Sequence, residues 1–92
     1  MTSHRERDHD YYRVITEIND CLRVIICCDG IQWILQKREG KRDVKPRWTG
    51  VSYCTTRSAL IRVTLGKCRN FKSGAMDCLN ALPEKIEQTE ND

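Results

Sequence analysis

Between Lys37 and Arg47 the chain carries six basic side chains, Lys37, Arg38, Lys41, Arg42, Lys45 and Arg47, against Glu39 and Asp43, and Trp48 follows at once. Lysine and arginine neutralise phosphates, and an adjacent indole can stack on a base. The same stretch also reads as a solvated loop between strands, with Trp48 packing at a strand start. The net charge of +3 is below what a dedicated nucleic-acid binder usually carries. An acidic protein surface therefore stands beside nucleic acid as the partner of this loop.

Catalytic chemistry finds little support. The chain contains no Gly-rich phosphate loop, no HExxH and no GxSxG. Its two histidines, His4 and His9, both lie in the N-terminal leader, which weakens any Ser-His or Cys-His arrangement. Six cysteines stand at 21, 27, 28, 54, 68 and 78, without a CxxC. Zinc ligands usually come in close-spaced pairs, so the cysteines read as small buried or half-buried hydrophobes with free thiols. The expectation is a non-enzymatic protein with no metal and no cofactor.

The element that must position these residues is the stretch from Cys21 to Arg38. Two apolar runs flank Asp29-Gly30, the pair that favours a two-residue type I′ hairpin with positive φ at both central residues. This predicts strands over Leu22–Cys28 and Ile31–Arg38, with Ile26 opposite Trp33, Val24 opposite Leu35 and Leu22 opposite Lys37. One face is then Leu22, Val24, Ile26, Cys28, Ile31, Trp33 and Leu35. The other holds Cys21, Arg23, Ile25, Cys27, Gln32, Ile34, Gln36 and Arg38. A one-residue slip would mix the two sets. If no helix covers the second face, Arg23, Gln32, Gln36 and Arg38 extend the basic loop into one polar docking surface. Otherwise Gln32 and Gln36 read simply as outward alternation on an exposed strand.

The remaining elements follow in order. Residues 11–18 fit a helical stripe at 11, 14, 15 and 18, yet Tyr, Val, Ile and Thr favour strands. An extended segment beside strand 22–28 is the preferred reading. Residues 39–46 form a loop by Gly, Pro and charge content. Trp48–Thr55 reads as a third strand, antiparallel to 31–38, with Gly50 marking a bulge or close backbone approach. Thr55 or Thr56 caps a helix whose stripe is Leu60, Ile61, Val63 and Leu65, stopped by Gly66. A strand over 61–65 is the rival. Ser73 caps a second helix with Ala75, Met76, Leu79 and Leu82 inward, and Pro83 ends it. The fold class is α+β: a three- or four-stranded antiparallel meander with two short C-terminal helices packed on one face.

Ninety-two residues make one domain, read here as 11–83 between a disordered leader at 1–10 and an acidic flexible tail at 84–92. A core this small suits a monomer or a homodimer. No run of about 18 apolar residues offers a membrane span. The leader MTSHRERDHD mixes charges where a signal peptide needs an apolar core, so a cytoplasmic protein is expected.

The stretches IQWILQKREG, RWTGVSYC and TRSALIR resemble small uncharacterised proteins of alphaproteobacterial chromosomes, phages and plasmids, over about residues 22–65. Small proteins of mobile elements include anti-CRISPR inhibitors, which are generally non-enzymatic and occlude a surface of a larger effector. What the resemblance implies, by analogy, is a small inhibitor or modulator of a larger host protein or nucleoprotein complex. A stand-alone nucleic-acid-binding module, such as a small repressor, is the alternative.

Overall fold

The period-two sorting along residues 21–38 becomes the centre of a four-stranded antiparallel sheet. The structure is a computed structural model that describes residues 5–39 and 46–86. In chain order the elements are β1 (Val14–Glu17), β2 (Leu22–Ile26), β3 (Trp33–Glu39), β4 (Arg47–Cys54), α1 (Arg57–Lys67) and α2 (Ala75–Asn80). The strands lie in the order β1-β2-β3-β4, and both helices pack on one face. This is the α+β meander expected from the sequence, with β1 as its fourth strand.

The β2–β3 register is the expected one: Ile26 faces Trp33, Val24 faces Leu35 and Leu22 faces Lys37. The turn is not. Cys27 N–H donates to the Gln32 carbonyl at 3.0 Å, and Gly30 N–H donates to the Cys27 carbonyl at 2.9 Å. Gly30 has φ 72°, while no non-glycine among the described residues has positive φ. The reversal is thus wider than the type I′ pair, because the loop leaves Asp29 in ordinary backbone. Opening both sides equally preserves the register, but it puts Cys28 and Ile31 in solvent instead of on the apolar face.

The helix side forms the main core. Leu22, Val24, Trp33, Leu35 and Cys54 from the sheet meet Ile18, Leu60, Ala75 and Leu79. Thr56 caps α1, its hydroxyl accepting from Ala59 N–H at 3.3 Å. The strand alternative for 61–65 is not realised. Gly66 is no stop: the helix runs through it to Lys67, and Cys68 N–H closes it on the Thr64 carbonyl. Leu65, placed on the apolar stripe from sequence, is 52% exposed. Thr64 takes the inward position, affordable because its hydroxyl donates to the Leu60 carbonyl at 2.7 Å. At α2 the cap position belongs to Gly74, at φ 84°, rather than to Ser73.

The leader and tail depart from the expected disorder where they are described. Residues 5–10 lie against the sheet, with an isolated antiparallel backbone pairing of Asp8 with Arg47 and Trp48 N–H donating to the Arg7 carbonyl. Behind α2, Ile86 N–H donates to the Thr55 carbonyl and Arg57 N–H to that of Glu84. None of the described helices is long and apolar enough to cross a membrane.

Candidate functional site

The second face of the sheet is occupied. Tyr11, Ile25, Cys27 and Ile34 form a small second core there, and residues 5–13 run across it as a strap. Arg23 sits at the centre. Its Nε donates to Gln36 Oε1 at 2.7 Å, Nη1 to the His9 carbonyl at 3.0 Å, and Nη2 to the carbonyls of Glu6 and Asp8 at 2.9 and 2.8 Å. The guanidinium also lies 4.4 Å from the Trp48 ring centroid, a cation–π distance. Burial pulls the Arg23 pKa down to about 10, opposed by nearby Glu17, Tyr11 and Asp8, so the group stays charged at neutral pH.

Its neighbours complete the closure. Gln36 Nε2 donates to the Glu6 carbonyl at 2.9 Å. Trp48 Nε1–H donates to His9 Nδ1 at 3.2 Å, with the two rings stacked. The Tyr11 hydroxyl donates to the Ile26 carbonyl at 2.7 Å, and burial raises its pKa well above the usual phenol range. Among the described residues, every buried side-chain polar atom has a hydrogen-bond partner.

Three residues expected on an open docking face are therefore inside. Arg23 is 1% exposed, Gln36 2% and Trp48 4%. The reason is that strap carbonyls satisfy Arg23 and Gln36, while Trp48 is packed against Arg23 and His9. Gln32 is half-buried beside the hairpin tip. Arg38 and Arg47 are exposed, and Lys37 joins them at the same end of the sheet through the pairings Lys37–Thr49 and Glu39–Arg47. Lys41, Arg42 and Lys45 lie outside the described residues, in the connection between these strand ends.

The fold adds residues that the sequence reading missed. Arg5 and Arg7, from the strap, line a cleft of about 530 Å³ with Thr49, Gly50 and Tyr53. A smaller neighbouring cleft of about 290 Å³ is bounded by Arg7, Glu39 and Arg47. Nothing in a charged, apolar-poor leader announces this placement. The one available signal was Arg23 itself, an arginine inside the run Leu22–Ile26.

The described residues bring no three His, Cys, Asp or Glu side chains together as a metal set. All six thiols are free; Cys27 and Cys54 are buried, and burial raises the pKa of Cys54 and Cys68. With this α+β architecture and its basic, arginine-lined end defined, the chain was compared with known proteins. No family model matches it, and no curated protein or solved structure proved similar.

Proposed function

We propose that this is a non-enzymatic binding protein that inhibits or modulates a larger protein or nucleoprotein complex in the cytoplasm, in the manner of an anti-CRISPR. The observation that carries the reading is the convergence of exposed basic side chains from two distant segments. Arg47 at the β3–β4 end shares a cleft with Arg7 from the strap, Arg38 is exposed on the neighbouring strand, and Lys41, Arg42 and Lys45 fall between these strands in the sequence, outside the described residues. An excess of basic over acidic side chains at one end, where Glu39 stands among Arg7, Arg38 and Arg47, favours docking to an anionic surface and speeds encounter with it. The polar sheet face has no part in this docking, because the strap already occupies it. The resemblance to mobile-element proteins supports the same reading.

The test is affinity capture from a host lysate, with and without nuclease, using the full chain and a variant in which Lys41, Arg42, Lys45 and Arg47 are all Glu. The expected result is one large complex captured by the wild type and lost with the variant. Equal capture by both proteins would remove the basic end as the contact. Salt-sensitive binding of duplex DNA by the isolated chain, with no captured complex, would favour a small repressor instead.

A further inference from the structure

Tyr53 has the highest exposure, 60%, among the exposed large hydrophobic residues described. Its orientation comes from a bulge. Pairing of β3 with β4 advances residue by residue from Glu39–Arg47 to Gln36–Gly50, then resumes at Leu35–Ser52, leaving Val51 as an extra residue. One inserted residue reverses which side of the sheet each later side chain takes. Tyr53 thereby joins Trp48 and Gly50 on the strap side, opposite Ile34, instead of pointing at the helices.

Gly50 fits this arrangement. A Cβ there would collide with the Tyr53 hydroxyl and would lie 2.9 Å from its Cζ and 3.1 Å from Ile34 Cγ2. The missing side chain lets the hydroxyl end of the ring settle on the strand backbone. Covering a strand glycine with an aromatic is a stabilising device in itself. That role does not account for what stands across the cleft, where Arg5 and Arg7 of the strap share its lining with Thr49. Glu6, the acidic group of the same lining, accepts a hydrogen bond from the Cys28 N–H at 2.6 Å.

We infer that this cleft binds single-stranded nucleic acid, with an unpaired base stacking on Tyr53 and adjoining phosphates meeting Arg5 and Arg7. An aromatic ring held against a sheet beside cations matches the alternation of π-face and phosphate along a single strand. A duplex keeps its bases stacked internally and has no free face for Tyr53. An acidic peptide would use the arginines but gain nothing from stacking. The inference goes beyond the docking reading, since the contact belongs to the isolated chain whatever complex it engages.

Fluorescence anisotropy tests it, with a labelled oligothymidylate of about twelve nucleotides, the matching duplex and a poly-glutamate peptide. The strand is expected to bind most tightly and to weaken as salt rises. Tyr53→Phe should retain affinity, whereas Tyr53→Leu, which still covers Gly50, should lose roughly tenfold. Arg7→Gln should weaken binding and flatten its salt dependence. Circular dichroism melting of each variant separates lost binding from lost folding. Peptide or duplex binding as tight as the strand's, or a folded Tyr53→Leu variant with wild-type affinity, would overturn the inference. A folded Tyr53→Leu variant with wild-type affinity leaves the capture experiment with the basic-loop variant untouched, so the two readings fail separately.

Discussion

The two faces of this sheet are buried by opposite means. On the helix side, Val24, Trp33 and Leu35 are covered by Leu60, Ala75 and Leu79, and the contact is apolar on both sides. On the strap side, a charged arginine and a glutamine are covered by main-chain carbonyls of residues 6–9. The first closure draws on area removed from water, which is non-directional and tolerant of side-chain identity. The second depends on each donor finding its acceptor, since a buried polar group left unmatched costs about 1–3 kcal/mol. What this teaches is that an arginine in mid-strand need not mark an open polar face. It can be the fastener for a segment with almost no apolar content.

The largest expected effect lies on the helix side. Trp33→Ala should cost roughly 3–5 kcal/mol of global stability, read as a single lowered denaturation midpoint. Arg23→Met should cost roughly 2–3 kcal/mol. If the faces are held as described, its hydrogen-exchange protection falls first in residues 5–13 while α1 stays protected. Uniform loss across the chain would erase the distinction between the faces. Thr56→Ala should remove about 1 kcal/mol through the α1 cap alone, again measured by denaturant midpoint, with strap amides unaffected.

The smallest effect concerns the Lys72–Glu17 ion pair, 2.7 Å apart, which ties β1 to the segment entering α2. The Lys72 hydrogen bond holds the Glu17 carboxyl below its usual range. A depressed carboxylate pKa contributes stability above the ordinary value and loses it as pH falls through the folded one. The stability difference between wild type and Glu17→Gln should therefore shrink on acidification. Both side chains are about half exposed, so the difference is small at neutral pH and fades with salt.

Much of the sheet was legible because apolar alternation has a period of two and any slip would expose Trp33. The parity of residues 22–37 fixed the register even though the turn type differed from expectation. Gly50 was readable as a bulge or close approach, and both occur there, the bulge residue being Val51. The candidate site was less legible. Arg38 and Arg47 are on the surface, as expected, whereas Arg23, Gln36 and Trp48 were assigned to it and are inside. The error had one source, the assumption that a leader without apolar residues covers nothing.

By itself, the sequence determined the β2–β3–β4 meander, the apolar face and the helical cover, because those follow from local periodicity, capping and short connections, while it left residues 11–18 open between helix and strand. Only the tertiary structure decided what covers the other face, and with it the company of Arg5, Arg7 and Tyr53. The physical reason is that the strap holds Arg23 and Gln36 through carbonyl groups, which every residue possesses, and the side chains that join them, Glu6, His9 and Tyr11, follow no periodic pattern. An interaction made by the common backbone leaves no mark in the order of the side chains.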